Sequence, residues 1–417
     1  MDHTPSLQVS KPYTRKIQHV YDIIFYMIAI SLGILLISSL CFYTLSFDLR
    51  TIIYPATIPF KTLLPPPLAS LSFSQLSITP PPPDSPSLSL SQPYQVLLSS
   101  SWNKKSKYNS TYLKTFIFHN MTDQELFLKA SMVKGIDDFT NKTIPKVAFM
   151  FLVKGKVPLA PLWEKFFKDN EGFYSIYLHQ DPSYKDKVSE DSVFYGRKVP
   201  SQHVVWGTTS MIDGEKRLLA NALLDSSNQR FVLLSETCIP LFGFKTIYIY
   251  LINSKLSYVN SFYDPTKDCK GRYNPKMSPI INITNWRKGS QWFEIHRNLA
   301  INIVHDTKYY PMFNKYCLPR CYSDEHYIPT LVHMMYSEFN SNRTITWVDW
   351  SIRGPHPRKY VWGDINDELM NKIRFGSTCV YNGKITNICF LFGRKFHPNT
   401  LDPLLRVSPS LLGDYYP

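Results

Sequence analysis

The sequence predicts an α/β fold with a mostly parallel sheet, and two observations carry that prediction. The first is a set of short apolar runs with the length and residue types of buried strands, such as Val147–Val153. The second is that stretches with a helical pattern lie between these runs, as in residues 213–224. Strands that alternate with helices indicate βαβ units, and sheets of this kind bind ligands beyond the carboxyl ends of their strands.

The predicted elements follow one another along residues 147–252. Apolar or alternating runs predict four strands, at Val147–Val153, Tyr174–His179, His203–Trp206 and Phe231–Leu234. Helices are predicted between and after them, at Leu162–Lys168, at Asp213–Leu224 with Asp213 as its cap, and at Phe244–Ile252.

Three polar loops fall at the carboxyl ends of these strands, at residues 154–156, 179–182 and 235–240. The first lacks the glycine pattern of a dinucleotide site or of a P-loop, so neither a dehydrogenase of that type nor a P-loop hydrolase is supported. Asp181 is a candidate contact for a nucleoside hydroxyl or base, with an Asp-Pro turn as the alternative. Glu236 is a candidate polar contact, with an ordinary loop acid as the alternative.

The N-terminal residues predict a membrane anchor. Residues 1–22 form a short tail with Lys11, Arg15 and Lys16, and residues 23–47 carry no charged side chain. Twenty-five helical residues exceed the roughly 30 Å hydrocarbon core of a bilayer, and the basic flank keeps the tail cytosolic. This pattern predicts a type II signal anchor. The alternative is a cleaved signal peptide, whose apolar region spans about 7–15 residues and ends in a small-residue cleavage site.

A spacer and a large domain follow the predicted anchor. Residues 48–110 are rich in Pro and Ser, a composition that favours extended polyproline II and cannot build a core. Residues 111–417 form the predicted lumenal domain, which is long enough for one large core or two modest ones. Golgi-resident glycosyltransferases share this layout with many receptors and anchored proteases, so the layout limits the class of protein without fixing it.

The chain after the predicted anchor has features of a lumenal segment. It contains six of the seven cysteines, an even number that allows up to three disulfides. The Cys317/Cys321 spacing has no matching second pair and makes a poor zinc site. Five glycosylation sequons lie in this segment, at Asn109, Asn120, Asn141, Asn282 and Asn342.

The net charge of +14 is spread along the chain, a distribution that argues against nucleic acid as a partner. It fits a domain that binds a nucleotide diphosphate or acts at an acidic surface, and a solvated basic face is the alternative.

Glu325 is the candidate general base. It lies in a Ser-Asp-Glu-His block at the start of a predicted helix, a place where a carboxylate can activate a sugar hydroxyl. Trp286, Trp292 and Phe293 are expected to supply an apolar surface for a pyranose ring. The alternative is an ordinary helix N-terminus, with Ser323 as N-cap and with first-turn acids that interact favourably with the helix dipole.

Basic side chains, and not a metal ion, are expected to neutralise the donor diphosphate. No Asp-x-Asp pair occurs, although many nucleotide-sugar transferases hold Mn²⁺ or Mg²⁺ with such a pair. Lys395 and Arg374 are the candidate cations, with ordinary surface residues as the alternative. We therefore expect neither a metal nor a cofactor.

Six ordered blocks between about residues 145 and 405 resemble the core-2/I-branching β-1,6-N-acetylglucosaminyltransferase family, in its plant-type branch with the brittle-culm type glycosyltransferases. The blocks are Trp206-Gly207, 231–241, 286–293, 321–330, 347–350 and 390–396. The resemblance implies a GT-A-like fold and an inverting, metal-independent reaction with a nucleotide-sugar donor, UDP-N-acetylglucosamine in the founding members.

The resemblance also implies roles for single residues. It makes Glu325 the catalytic base, and it assigns the donor site to Lys395, Arg374, Asp181 and Glu236. It assigns the acceptor side to Trp347, Asp349, Trp350 and Trp292, and it implies a local disulfide between Cys379 and Cys389.

The sequence thus predicts a Golgi membrane enzyme that moves a sugar, N-acetylglucosamine in β linkage, onto a glycan or glycoprotein. The expected partners are a UDP-sugar, that acceptor and the membrane. Two alternatives stay open: the same fold with another UDP-sugar for cell-wall or arabinogalactan glycans, and a non-catalytic lumenal glycan-binding protein.

Overall fold

The computed structural model describes residues 25, 27, 31, 117, 119–133, 144–318, 321–352 and 354–413. The chain divides into two units, Met1–Gln92 and Pro93–Pro417. In the first unit, Phe25, Met27 and Ser31 are helical and exposed. The rest of the predicted anchor, the predicted tail and the predicted spacer lie outside the described residues. Among the residues that are described, no helix is long and apolar enough to cross a membrane.

The second unit alternates strands and helices. Its helices are α1 (Asp123–Met132), α2 (Ala160–Phe167), α3 (Ser210–Leu223), α4 (Phe244–Asn253), α5 (Arg297–His305), α6 (Tyr310–Tyr316), α7 (Tyr327–Met335), α8 (Asp367–Phe375) and α9 (Leu401–Leu411). Its strands are β1 (Lys146–Val153), β2 (Tyr174–Gln180), β3 (Asn228–Leu234), β4 (Ile239–Pro240), β5 (Glu294–His296), β6 (Thr346–Val348), β7 (Cys379–Tyr381), β8 (Lys384–Thr386) and β9 (Phe392–Arg394).

The main sheet has the order β2-β1-β3-β5. Strand β1 lies between β2 and β3 and runs parallel to both, while β5 is antiparallel to β3. The carboxyl ends of β1, β2 and β3 therefore share one edge with the start of β5. This mixed, mostly parallel sheet agrees with the predicted fold class, and it brings the three predicted polar loops to the same edge.

A second sheet, with the order β4-β9-β6, adjoins that edge. Four residues, 235–238, connect β3 of the first sheet to β4 of the second. Strand β6 is parallel to β9, with Val348 opposite Arg394, and β4 is antiparallel to β9, with Ile239 opposite Gly393. The ends of β6 and β9 thus lie together, and the chain continues from them into Asp349 and Lys395.

The core consists of two apolar clusters on the two faces of the main sheet. Because side chains alternate along a strand, β1 sends Ala148, Met150 and Leu152 to one cluster and the residues between them to the other. The ring of Phe149 packs edge-on against Phe167, with 5.0 Å between ring centroids. Removing a buried ring of this kind costs about 3–5 kcal/mol of folding free energy, so the sheet is a rigid support for its loops.

Two local predictions are wrong. His203–Trp206 forms no strand, and Trp206 lies in an exposed turn. Asp213 does not cap a helix, because α3 begins earlier, at Ser210, and the Asp213 carboxylate accepts a hydrogen bond from Tyr310 instead.

The cysteines follow the predicted framework in part. Cys379 is bonded to Cys389, as the resemblance implied, and Cys317 is bonded to Cys321. Cys238 and Cys269 are free and buried, so the described residues contain two disulfides and not three.

The sequons are described in part. Asn120, Asn282 and Asn342 are exposed, and Asn109 and Asn141 lie outside the described residues.

Candidate functional site

Glu325 ends a short 3-10 turn, Ser323–Glu325, that precedes α7. The N-cap role that the alternative gave to Ser323 is therefore wrong: α7 begins at Tyr327, and the Ser323 hydroxyl has no hydrogen-bond partner among the described residues. The turn places Glu325 at the surface, with 29% of its side chain exposed.

Two cations hold the Glu325 carboxylate. Arg272 Nη1 donates to Oε2 over 2.7 Å, and Lys288 Nζ lies 3.8 Å from the same oxygen. The Arg272 guanidinium also lies 4.3 Å from the ring centre of Tyr322. The carboxylate is thus oriented and open to solvent, which a general base for an incoming hydroxyl requires.

Two buried acids lie behind Glu325. Burial first, and then the negative charge of Glu325, raises the pKa of Asp324 to about 7. Burial also raises the pKa of Glu215 well above its ordinary value, although Gln291 donates to it over 3.0 Å. Each acid has one oxygen without a hydrogen-bond partner in the described part of the chain, and burial favours the neutral form of both.

The aromatic residues before Glu325 are buried and cannot offer a surface to a sugar. Trp286, Trp292 and Phe293 are each at most 6% exposed, so the prediction that they stack on a pyranose ring is wrong. The ring of Trp286 stacks on His326, with 4.5 Å between centroids. Burial lowers the pKa of His326 to about 3, which leaves the imidazole neutral. These rings are therefore part of the packed interior next to Glu325.

Residues 289–292 join Glu325 to the edge of the main sheet. The N–H of Gly289 donates to the carbonyl of Glu325 over 2.8 Å. A β-carbon at Gly289 would lie 1.7 Å from the carbonyl oxygen of Asn260, so only glycine fits there. Three residues later, the ring of Trp292 lies 4.1 Å from the guanidinium of Arg394.

A group of cations lies at the end of β9, on the other side of this connection. Burial lowers the pKa of Lys395 most, and the positive charges of Arg394 and Lys359 lower it further. Lys154, which follows β1, adds to this repulsion, whereas Glu236 opposes it. We call Lys154, Lys359, Arg394 and Lys395 the cation group. Mutual repulsion of this kind is relieved when an anion binds.

Arg374, the predicted partner of Lys395, is placed elsewhere. It is 1% exposed, and its guanidinium lies 4.7 Å from the ring centre of Phe242 and 4.8 Å from that of Phe375. Phe242 follows β4 and lies toward the start of β9, while Lys395 follows the end of β9. Arg394 and Lys359 lie close enough to Lys395 to influence its pKa, and the role of Arg374 at the donor site stays a prediction.

Asp181 and Glu236 both lie at the carboxyl edge of the main sheet, after β2 and β3. The Asp181 carboxylate accepts from the backbone and hydroxyl of Ser183, at 2.9 and 2.6 Å, and lies 3.1 Å from His203. These hydrogen bonds with Ser183 lower the pKa of Asp181 and form the turn that was the alternative reading. Glu236 stands close enough to the cation group to influence the charges of Arg394 and Lys395.

The four predicted acceptor residues lie in different surroundings. Trp347 and Asp349 lie beside the end of β9: the ring of Trp347 packs on Phe390 at 5.1 Å, and Asp349 accepts from Tyr360 over 2.9 Å. Trp350 is exposed, whereas Trp292 is buried under Arg394. Trp292 is therefore placed to support the cation group.

The described residues contain no group of three or more His, Cys, Asp or Glu side chains that could hold a metal ion. A cavity of about 320 Å³ opens beside the sheet edge and is lined by Lys156, Gln180, Tyr184 and Lys187 among others. Gln180 donates to the carbonyl of Gly155 over 2.8 Å, which ties the loops after β1 and β2 together.

Comparison with known proteins identifies the family. A sequence model of the Core-2/I-Branching enzyme matches residues 147–374. The chain is also similar to Glycosyltransferase BC10 of Oryza sativa subsp. japonica, at 37% identity over 60% of this chain and 73% of that protein. The chain belongs to the Core-2/I-branching enzyme family.

Membership in the Core-2/I-branching family makes the protein a glycosyltransferase, with a nucleotide-sugar donor and a glycan acceptor. The matched residues include Glu325 with its partner Arg272, and they end before Arg394 and Lys395. The cation group therefore depends on the geometry for its assignment.

Sequence reasoning gave no individual role to Arg272, Lys359 or Arg394, which the structure places at the candidate site. Arg272 lies 53 positions before Glu325, and only tertiary packing joins them. Lys359 meets Lys395 because Tyr360 pairs with Phe396 in an isolated bridge. Arg394 could have been found, since it directly precedes Lys395 in a basic pair after an apolar run.

Proposed function

We propose that the protein is an inverting glycosyltransferase that moves N-acetylglucosamine from UDP-N-acetylglucosamine, in β linkage and without a metal, onto a glycan or glycoprotein. The observation that carries the proposal is the pairing of one solvent-open carboxylate, Glu325, with a separate group of cations. Residues 289–292 connect the backbone of Glu325 to the ring that packs on Arg394, and three residues span at most about 10 Å. An acceptor hydroxyl and a donor diphosphate can therefore be bound at the same time.

Glu325 acts as the general base in this mechanism. The acceptor hydroxyl approaches the exposed carboxylate, which takes the proton as the oxygen attacks the anomeric carbon of the donor sugar. Arg272 and Lys288 fix the position of the carboxylate. A glycosidase uses a pair of carboxylates across the bond, and Asp324 and Glu215, which lie behind Glu325, are too buried to be the second member of such a pair.

The cation group stabilises the leaving group. The bond between the anomeric carbon and the diphosphate oxygen breaks as the new bond forms, and UDP gains negative charge. Lys395 and Lys359 can bind the diphosphate oxygens directly, and Arg394 adds positive charge from beside Trp292. Electrostatic stabilisation of this kind often makes the largest contribution to a rate.

The donor side would lie along the loops after β1, β2 and β3, where Lys154, Asp181 and Glu236 stand. The same arrangement would serve another UDP-sugar, because the cation group recognises the diphosphate and not the sugar. We place the enzyme in the Golgi membrane, with residues 23–47 as a type II anchor and the catalytic unit in the lumen.

A donor screen tests the proposal. The purified protein would be incubated with UDP-N-acetylglucosamine, UDP-galactose, UDP-xylose and UDP-glucuronic acid, with a glycan mixture as acceptor and excess EDTA throughout. We expect transfer from UDP-N-acetylglucosamine to be fastest and to persist in EDTA. Preference for another donor would replace the sugar assignment, and strict dependence on added Mn²⁺ would overturn the role of the cation group.

A further inference from the structure

An exposed aromatic cluster lies next to the catalytic carboxylate and has no part in the mechanism above. Trp206 is 45% exposed. Its ring lies 5.1 Å from that of Tyr322, at an interplanar angle of 64°, and 5.6 Å from that of His356. We call these three residues the Trp206 cluster.

The Trp206 cluster is continuous with the site. Tyr322 packs under Arg272, whose guanidinium donates to Glu325 over 2.7 Å. Since each contact is an ordinary ring or ion-pair distance, Trp206 lies within about 15 Å of the carboxylate. A ligand that places one hydroxyl at Glu325 can therefore extend onto Trp206.

The backbone holds this cluster in a fixed place. Tyr322 has φ of 56°, a left-handed conformation that is rare for a bulky residue. The disulfide between Cys317 and Cys321 precedes it directly, and the turn Ser323–Glu325 follows it. Strained residues of this kind persist where their surroundings fix them, and they concentrate at ligand sites.

The cluster also joins both halves of the site. His356 belongs to the segment between Asp349 and Arg358, whose ends are linked by a hydrogen bond of 2.8 Å from the Arg358 N–H to the Asp349 carbonyl. Asp349 lies beside the end of β9, where the cation group stands. The segment thus runs from the donor side to Trp206.

A sugar ring is the occupant that fits this surface. Trp206 offers an exposed apolar ring, and the neighbouring His356 offers an imidazole. A hexopyranose has an apolar face of C–H groups and a rim of hydroxyls, so it can stack on the ring while it binds polar neighbours. The expected surfaces at Trp286 and Trp292 are buried, which leaves Trp206 as an exposed ring close to Glu325.

We infer that Trp206, supported by Tyr322 and His356, binds the sugar residue that adjoins the acceptor residue, so that the acceptor is at least a disaccharide. This inference rests on the proposed transferase function. Trp206 then recognises the length of the acceptor glycan, while Glu325 performs the proton transfer.

The test compares acceptors of increasing length. The probes are methyl β-galactoside, methyl β-glucoside and methyl β-xyloside, each with its β-linked di- and trisaccharide. Both transfer and direct binding by calorimetry are measured, in the presence of UDP. The variants are Trp206→Ala, Trp206→Phe as a conservative change, and Trp362→Ala as a matched control, since Trp362 is a 53% exposed tryptophan that contacts Arg406.

We expect the unmodified protein to bind at least one disaccharide at least 10-fold more tightly than its monosaccharide. Trp206→Ala should lose 5- to 30-fold of that affinity, as for a tryptophan at the centre of a binding surface. Trp206→Phe should retain part of it, and Trp362→Ala all of it. Binding of UDP should be unchanged in every variant.

Three results would overturn the inference: no affinity gain with length, a gain that survives Trp206→Ala, or an equal loss in Trp362→Ala. The proposed function fails in a different way. If Trp206-dependent disaccharide binding is found but no UDP-sugar supports transfer, the subsite stands and the catalytic proposal falls.

Discussion

Replacing Glu325 by Gln tests the centre of the mechanism. Gln keeps the size of the side chain, and its carbonyl oxygen can still accept from Arg272 at the position of the present 2.7 Å bond. Basicity is lost. We expect turnover to fall by about 10²–10⁴-fold, the usual contribution of general base catalysis, which corresponds to about 3–5 kcal/mol of activation free energy.

Stability should change little in this variant. The ion pairs of Glu325 with Arg272 and Lys288 are partly exposed, since 29% of the Glu325 side chain and 19% of the Arg272 side chain reach solvent. Partly exposed pairs contribute about 1 kcal/mol or less. The affinity for UDP should also be unchanged, because the cation group is untouched.

A matched control comes from Asp268, another acidic neighbour of Arg272. Asp268 Oδ1 lies 3.7 Å from Arg272 Nη2, and its side chain is exposed. Asp268→Asn removes one negative charge near the same guanidinium without touching the proposed base, so we expect it to stay within about threefold of the unmodified rate. The assay is UDP release with the donor and acceptor found in the screen, with calorimetry for UDP. Near-normal turnover in Glu325→Gln, or an equal loss in both variants, would refute the assignment of the base.

Three further predictions concern the surroundings of Glu325 and the cation group. Lys395→Ala should weaken UDP binding by about 10- to 100-fold, the value of a hydrogen bond to a charged group, while Lys384→Ala on the β7–β8 hairpin should not; equal affinity in both would remove Lys395 from the donor site. Gly289→Ala should lower the unfolding temperature and turnover together, because its β-carbon would meet Asn260 at 1.7 Å; an unchanged melting curve would contradict the fit. The pKa of Asp324 is about 7 in the folded state and 3.8 as its ordinary value. Between these two pH values the folded protein keeps a proton on Asp324 that the unfolded chain has lost. Asp324 therefore lowers the free energy of unfolding as pH rises from 4 to 7. From pH 5 to pH 7, the free energy of unfolding of Asp324→Asn should rise by about 2 kcal/mol relative to that of the unmodified protein, as denaturation curves would measure. An equal difference between the two proteins at both pH values would count against this prediction.

The sequence predicted strands β1, β2 and β3 of the main sheet because they are local features, whereas the three-residue strand β5 was not predicted. Runs such as Val147–Val153 are apolar throughout, and strands buried on both faces have this pattern wherever they occur. The second sheet was not predicted, since β4, β6 and β9 have two or three residues each and exist only through pairing with one another. His203–Trp206 shows the opposite error: its residues favour a strand, but within the part of the chain that the structure describes they pair with no strand.

The candidate site divides in the same way. Glu325 and Lys395 could be found from the sequence because each lies in a block with a recognisable order of residues. Burial decides the rest, and burial is a property of the whole fold. Trp292 and Trp206 are both tryptophans in such blocks, yet one is covered by Arg394 and the other is open to solvent. Arg374 was assigned to the donor site from the resemblance, and the structure shows that α8 buries it beside Phe242.

The connection between Gly289 and Trp292 explains how the two halves of the site act together. During transfer, a proton arrives at the acceptor side while negative charge leaves on the donor side, so the two positions must stay at a fixed distance. Each end of the connection is fixed by a separate contact: the Gly289 N–H to the Glu325 carbonyl at 2.8 Å, and the Trp292 ring to Arg394 at 4.1 Å. Gln291, between them, donates to the buried Glu215. Because these contacts leave the segment little freedom to move, a shift at Gly289 would be transmitted to both the base and the cation group. A displacement of about 1 Å there would lower the rate of transfer far more than the affinity for the substrates.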